Sequence, residues 1–369
     1  MAKIFLIVGA RPNFVKAAPL YKALIASNAG EVRIIHTGQH YDFDMSNIFF
    51  RDFDLPDPHE YLGVGSGTHG RQTGEMLIKL EDNFLREKPD IVVVFGDTNS
   101  TLAGALAGAK LGIKVAHVEA GARSFDLRMP EEINRVLTDR ISDILFAPDN
   151  YAERNLILEG IPQEIVYNVG NILIDNLQLH KQKIDGKKEE VLRKFGLRGL
   201  QYGVVTIHRA RNVDDAGRLK VIVEVLNEIS ERYSLIFPIH PRTKNRLESF
   251  ELRLSEKIIL TDPLSYLEFE SLLSDAAFVL TDSGGVQTES YFFNVPCLTM
   301  RENTEWVSTL ESGTNFLVGF DLNKIINTLE MLSMYGFRPE KKEIPGWDGR
   351  TSERIAQILM DFLSRSLKH

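Results

Sequence analysis

The chain has 369 residues, 43% of them hydrophobic and 25% charged. At about 150 residues per domain this length points to two cores, and the composition excludes disordered, fibrous and collagen-like chains. Lysine and arginine total 43 against 51 aspartates and glutamates, a net charge of −8, so no global field draws nucleic acid or an anionic membrane surface to the chain.

The single cysteine, Cys297, excludes an intrachain disulfide and a multi-cysteine zinc site, and favours a reducing, cytoplasmic setting. The N-terminal run Ile4 to Val8 is short and apolar, stops at Gly9 and has no cleavage-site pattern behind it, so it reads as a first buried strand. No apolar stretch approaches the roughly 18 residues that cross a bilayer. Further strands are expected at Val32 to His36, Ile91 to Phe95, Val115 to Val118 and Ile144 to Ala147, with helices at about residues 13 to 27, 68 to 87, 99 to 110 and 131 to 141. After the charged stretch Lys181 to Arg198 the pattern restarts, with strands at Gly203 to Thr206, Leu235 to Ile239, Ile258 to Leu260, Phe278 to Leu280 and Cys297 to Met300. Apolar runs alternating with helical periodicity are the sequence form of a parallel α/β sheet. Two successive units imply two Rossmann-like, doubly wound domains facing across a cleft. The last segment, Arg350 to Leu367, reads as an amphipathic helix with Ile355, Ile358, Leu359, Phe362 and Leu363 on one side.

Open α/β sheets bind ligands at the carboxyl ends of their strands, so polar residues there are the candidates. The first strand runs into Gly9-Ala10-Arg11-Pro12-Asn13-Phe14-Val15-Lys16. This is not GxGxxG, which removes the usual support for a nicotinamide cofactor. A tight turn into a helix start still receives anions, with Arg11 and Lys16 supplying charge, though two solvated cations on a structural turn give the same pattern. Phe95-Gly96-Asp97-Thr98-Asn99-Ser100 delivers a carboxylate to a strand end, while Thr98, Asn99 and Ser100 are best read as helix caps. The next strand ends in Ala116-His117-Val118-Glu119-Ala120-Gly121-Ala122-Arg123. Asp97 and Glu119 would then share a crevice, and mutual repulsion lets one keep its proton and the pair act as acid and base. The plainer alternative is a Glu119–Arg123 ion pair. His117, between Val115 and Val118, reads as a hydrogen-bonded core residue.

Pro130-Glu131-Glu132 looks like a helix start, with Glu131 and Arg135 an ordinary i, i+4 pair. In the second half, His208, Arg209 and Arg211 follow a strand and suit a phosphate or leaving group. His240 sits between two prolines in a fixed turn, structural or ligand-facing. Thr281-Asp282-Ser283-Gly284-Gly285-Val286-Gln287-Thr288-Glu289 offers bare backbone N–H groups and a hydroxyl to a diphosphate, with Glu289 about one and a half turns in, able to accept from ribose hydroxyls.

Taken together, GARPNFVK, FGDTNS, HVEAGARS, PEEINR, TIHR, IHPR and TDSGGVQTES, in this order, closely resemble the non-hydrolysing UDP-N-acetylglucosamine 2-epimerases. The resemblance implies a fold like that of the GT-B glycosyltransferases. An N-terminal Rossmann-like domain over 1–170 would carry the acid/base carboxylates, a C-terminal one over 171–349 would bind UDP, and a terminal helix over 350–369 would pack back on the N-terminal domain. It also implies a homodimer, no nicotinamide or metal in the chemistry, and interconversion of UDP-N-acetylglucosamine and UDP-N-acetylmannosamine for surface polysaccharides. The implied path is elimination of UDP to 2-acetamidoglucal followed by re-addition. By resemblance, Asp97, Glu119 and Glu131 are the acid/base groups and His208 stands at the diphosphate. Arg11, Lys16, Arg135 and His240 would contact substrate, and Ser283, Gly284, Gly285 and Glu289 would hold diphosphate and ribose.

The departures bear on substrate. Ser124-Phe125-Asp126-Leu127-Arg128-Met129-Pro130 is shorter than the matching segment of many bacterial members, and Thr304-Glu305-Trp306-Val307-Ser308 stands where they carry TERPE. Both forms look more like a branch with archaeal members and epimerases of modified sugars such as UDP-diacetamidoglucuronic acid. Gln39-His40-Tyr41-Asp42-Phe43 departs from the polar pattern of members activated by UDP-N-acetylglucosamine at a second site, and Arg211 replaces the usual glutamate without an explanation in the sequence. A GT-B transferase, a hydrolysing relative and a non-catalytic UDP-sugar sensor are the competing readings.

Overall fold

The computed structural model describes residues 2–39 and 50–366, so of the segment Gln39 to Phe43 only Gln39 falls within the described residues. The chain forms two compact units, Met1–Leu179 with Pro345–His369 and His180–Ile344. The first contains a parallel sheet of β1 (Lys3–Val8), β2 (Glu31–His36), β3 (Glu60–Tyr61), β4 (Ile91–Phe95), β5 (Lys114–Val118), β6 (Ile144–Ala147) and β7 (Val166–Asn168). Its order is β3-β2-β1-β4-β5-β6-β7. Every residue of β4, Ile-Val-Val-Val-Phe, is buried, as expected where helices cover both faces of a parallel sheet. The order reverses between β1 and β4, which makes this the switch point where open α/β sheets generally bind ligands.

The helices of this unit are α1 (Arg11–Ala26), α2 (His69–Glu87), α3 (Asn99–Lys110), α4 (Pro130–Ile141) and α5 (Asn150–Leu158), followed by α6 (Ile172–Phe195), which continues into the second unit. Helix α3 lies close on the sheet because its side chains are small. A Cβ at Gly104 would sit 3.1 Å from a Val94 methyl, and one at Gly108 would sit 3.0 Å from a Val115 methyl. Thr98 caps it by accepting from the Thr101 backbone N–H.

The second unit has β8 (Tyr202–Thr206), β9 (Ser234–Pro238), β10 (Ile258–Thr261), β11 (Phe278–Thr281), β12 (Cys297–Thr299) and β13 (Asn315–Leu317), again parallel, in the order β10-β9-β8-β11-β12-β13. Its helices are α7 (Ala210–Val213), α8 (Ala216–Ser230), α9 (Pro241–Ser249), α10 (Tyr266–Ser274), α11 (Gly284–Phe293), α12 (Val307–Glu311) and α13 (Leu322–Met334). Alternate strand residues serve the two faces: Val205, Phe237, Leu280 and Leu298 enter one core, and Val204, Ile236, Val279 and Cys297 the other. Both units are Rossmann-like and doubly wound. The short strands β3, β7 and β13 escape the sequence reading because each has only two or three residues, too few to show a period.

The last helix, α14 (Thr351–Ser366), belongs to the first unit and packs against α1. Of its expected apolar face, Ile355, Leu359 and Leu363 are buried, while Ile358 and Phe362 are half-buried. Its first N–H groups are satisfied by Asp175 of α6, which accepts from Thr351 N (3.1 Å), Ser352 N (2.6 Å) and Ser352 Oγ (2.7 Å). Among the described residues no helix is long and apolar enough to cross a membrane.

Candidate active site

In the first unit the site is assembled from the ends of β1, β4 and β5. Asn13, in the first turn of α1, accepts from the backbone N–H of Gly9 (3.1 Å) and Ala10 (3.0 Å) and donates to Phe95 O (2.9 Å). One amide thereby ties the turn after β1 to the end of β4. Lys16, three residues on and therefore on the same helix face, is 5% exposed and places Nζ 2.6 Å from Glu119 Oε1. A Cβ at Gly96 would stand 2.6 Å from that ammonium and displace it, and the φ of +64° itself favours glycine.

Glu119 has φ +74°, a left-handed conformation that is costly for a residue with a side chain and is found at functional sites. Its Oε2 is buried without a hydrogen-bond partner. Burial raises its pKa above the ordinary carboxylate value, Lys16 opposes that rise, and the Asp97 charge adds to it. Asp97, one strand over, is bonded to Arg135 Nη2 of α4, and Asn134 Nδ2 donates to its backbone carbonyl at 2.9 Å. The two carboxylates thus hold different cations in different surroundings, the arrangement that separates an acid from a base.

Three sequence expectations about partners are resolved by these contacts. Arg135 does not pair with Glu131. Its second nitrogen goes to Glu132 Oε2 at 2.8 Å, because the carboxylate three residues back is buried beneath it. Glu132 also accepts from Ser124 N (3.0 Å), Ser124 Oγ (2.9 Å) and Phe125 N (2.9 Å), which fixes the segment leading into α4 and leaves Glu131 exposed at the helix start. Nor does Glu119 pair with Arg123, which turns to Asp139 (2.6 Å) and Glu159 (2.7 Å). His117 is a buried, hydrogen-bonded residue, as its apolar neighbours suggested. Arg11 stands half-buried at the first position of α1.

The second unit places its candidates at the ends of β8, β9 and β11. Asp282, fully buried after β11, accepts from the backbone N–H of His208 (3.1 Å) and Arg209 (2.9 Å) and from Asn212 Nδ2 (2.9 Å). It also faces His208 Nδ1 at 3.4 Å, while 45% of the His208 side chain stays exposed. His240 caps α9 by accepting from Arg242 N (3.1 Å), and its ring lies 6.2 Å from that of His208. The structure therefore brings these two histidines together.

Ser283 precedes α11 and makes no side-chain cap bond, so the helix begins with uncapped N–H groups at Gly284 and Gly285. A Cβ on Gly284 would stand 2.5 Å from Glu305 Oε1. Glu289 is 7% exposed farther along the same helix. Glu305 lies 3.4 Å from Arg209 and 2.7 Å from Arg301. Arg211 is accounted for as well: it meets Glu302 Oε2 at 3.1 Å, and Arg218 takes the other oxygen at 3.5 Å. Asp282, Glu305, Asn13 and Glu132 were missed as site-forming residues. For Asp282 the signal was its strand-end position, which the segment after β8 turns into a three-donor anchor only once the sheet order is known.

The family described as UDP-N-acetylglucosamine 2-epimerase matches residues 22–360. The chain is 49% identical to the UDP-N-acetylglucosamine 2-epimerase homolog of Methanococcus maripaludis, over 97% of this chain and 99% of that one. It is 45% identical, over 97% of this chain and 99% of the other, to the UDP-2,3-diacetamido-2,3-dideoxy-D-glucuronate 2-epimerase of Pseudomonas aeruginosa. A crystal structure of Methanocaldococcus jannaschii UDP-GlcNAc 2-epimerase in complex with UDP-GlcNAc and UDP matches with TM-score 0.90 and 48% identity, covering 97% of this chain and 99% of that one.

Proposed function

The chain belongs to the UDP-N-acetylglucosamine 2-epimerase family, and from that premise we propose that it is an isomerase interconverting UDP-N-acetylglucosamine and UDP-N-acetylmannosamine. The observation that carries this reading is Glu119: a strand-end carboxylate held at positive φ, with one oxygen on Lys16, the other unpartnered, and Asp97 on the neighbouring strand. The sugar C2–H has no adjacent ketone to acidify it, so direct deprotonation is slow. Elimination avoids this. The C1–O bond breaks as a base takes the C2 proton, the electron pair of that C–H bond forms C1=C2, and UDP leaves 2-acetamidoglucal behind. Re-addition delivers a proton to the opposite face of C2 and returns the UDP oxygen to C1. Groups on both faces are required, and Asp97, Glu119 and the exposed Glu131 fill these roles in this reading.

Lys16 and Arg135 then set the protonation and orientation of Glu119 and Asp97, and Arg11 at the start of α1 contacts substrate. In the second unit, His208 and His240 stabilise the departing diphosphate. Ser283, Gly284 and Gly285 hold its oxygens at a helix start without a side-chain cap, and Glu289 accepts from ribose. The reading includes a cytoplasmic homodimer supplying surface polysaccharide. The lone Cys297 supports the compartment. Ile78 and Leu85 of α2 and Ile133 and Leu137 of α4, large apolar side chains exposed on helices to either side of α3, support self-association.

The 45% identity to the Pseudomonas aeruginosa enzyme carries a second reading, the same reaction on a 2,3-diacetamido uronate sugar. Incubating the protein with each UDP-sugar in deuterated water and reading C2 by NMR tests both. The expected result is deuterium at C2 in recovered UDP-sugar of both configurations with UDP-N-acetylglucosamine. Label only with the uronate sugar moves the substrate to the second reading. Release of UDP with no labelled nucleotide sugar points to hydrolysis or transfer, and UDP binding without exchange points to a sensor.

A further inference from the structure

Behind the two carboxylates lies a buried network that none of the roles above uses. Asp139, on α4 one turn beyond Arg135, is 1% exposed. Its Oδ1 lies 2.6 Å from His117 Nδ1, and its Oδ2 accepts from Gly121 N at 3.1 Å and Arg123 Nη2 at 2.6 Å. The other His117 nitrogen lies 2.7 Å from Gly96 O. A carbonyl oxygen only accepts, and so does a carboxylate, so the ring donates at both nitrogens. Burial raises the Asp139 carboxyl, but His117 and Arg123 outweigh it and hold it below its ordinary pKa, keeping it an acceptor on both oxygens.

The endpoints of this network matter most. The Gly96 carbonyl belongs to the peptide unit that leads into Asp97, and Gly96 N donates to Val118 O at 2.9 Å, locking the ends of β4 and β5 together. Gly121, with φ +79°, closes the turn that begins at Glu119. A Cβ there would stand 2.2 Å from Ala152 O, so the turn cannot relax around a larger residue. Asp139 thus holds the amide two residues beyond the strained Glu119 directly, and reaches the peptide before Asp97 through His117. A buried ion pair of this kind is weak evidence for net stability, although removing one partner alone is destabilising.

We propose that Asp139 is a positioning residue for the reaction, orienting Asp97 through His117 and Gly96 and Glu119 through Gly121. The proposal rests on the epimerase reading of Asp97 and Glu119 and extends it to a residue that does not touch the sugar. In Asp139→Asn, kcat for epimerisation is expected to fall about 100-fold, the cost of displacing reacting groups by about 1 Å, while KM and UDP affinity stay at wild-type values. His117→Gln, whose amide still reaches Gly96 O but not Asp139, should lose about tenfold, and the double variant should lose no more than Asp139→Asn alone.

A purely structural pair would lower Tm and leave kcat of the folded protein unchanged. Wild-type kcat in folded Asp139→Asn, or in His117→Gln should the first variant not fold, overturns the proposal. The geometry has its own readout: wild type should show two slowly exchanging His117 ring N–H resonances and a protected Gly121 amide, with the protection lost in Asp139→Asn. Unchanged protection overturns the link to Gly121 whatever the substrate proves to be. Absence of C2 exchange in wild type defeats the epimerase reading instead, and the two failures are told apart.

Discussion

The strand ends of the two units use the same topology for opposite purposes. In the first unit most candidate side chains are withdrawn from solvent and bonded to one another: Lys16 to Glu119, Arg135 to Asp97 and Glu132. In the second, His208 and His240 remain accessible, the backbone that presents His208 is anchored on a single buried carboxylate, Asp282, and His240 stands at the cap of α9. Proton transfer at carbon needs carboxyl groups removed from water with tuned pKa values. Holding a diphosphate needs exposed N–H groups and cations at fixed positions. A doubly wound sheet serves both because it delivers strand ends and leaves their side chains free to differ.

If this division of labour is right, damage to the first unit should appear in kcat and damage to the second in nucleotide affinity. The largest effect is expected for Asp97→Asn, which should lower turnover by about a thousandfold and leave UDP affinity, measured by calorimetry, essentially unchanged. Unaltered epimerisation would remove Asp97 from the mechanism.

Lys16→Met comes next. Burial already holds the Glu119 carboxyl above its ordinary pKa, and Lys16 is the leading influence pulling it down. Without that cation the pKa rises further, less Glu119 is ionised at a given pH, and the acidic limb of the kcat profile moves to higher pH. Turnover at neutral pH should fall about 100-fold, with UDP binding preserved. An acidic limb that stays in place would mean that Glu119 does not govern it.

The smallest effect is expected for Asp282→Asn. The amide keeps one acceptor but turns an N–H₂ toward the N–H groups of His208 and Arg209, loosening the turn. UDP should bind about tenfold more weakly, or 1.4 kcal/mol, with kcat changed less than by either substitution in the first unit. A larger loss in kcat than in affinity would break the comparison.

The fold was legible because hydrophobic periodicity is local. Runs such as Ile91 to Phe95 and Phe278 to Leu280 declare themselves within a few residues, and the glycines and carboxylates that follow them mark where the strands end. The same residues marked a set of candidate positions at the strand ends. Helix starts were equally readable at Thr98 and at Pro130, since caps and first-turn prolines act within one turn.

Partners were not legible, and Arg135 illustrates why. Sequence spacing favours Glu131, four residues away. The helix instead aims the guanidinium at Asp97, 38 positions earlier, because α4 packs beside α3 and the end of β4. Lys16 and Glu119 are 103 positions apart and His208 and Asp282 are 74 apart, and nothing in either local segment announces the other. By itself, then, the sequence determined the alternation of strands and helices, the parallel class of the sheets and the strand-end location of the candidate residues, because each follows from patterns one element long. Only the tertiary structure decided which cation meets which carboxylate, which of two adjacent glutamates is buried, and that Asp139 joins His117, Gly121 and Arg123 behind the two strand ends. Those outcomes depend on strand order and on the competition of donors for buried acceptors, and both exist only once the chain is folded.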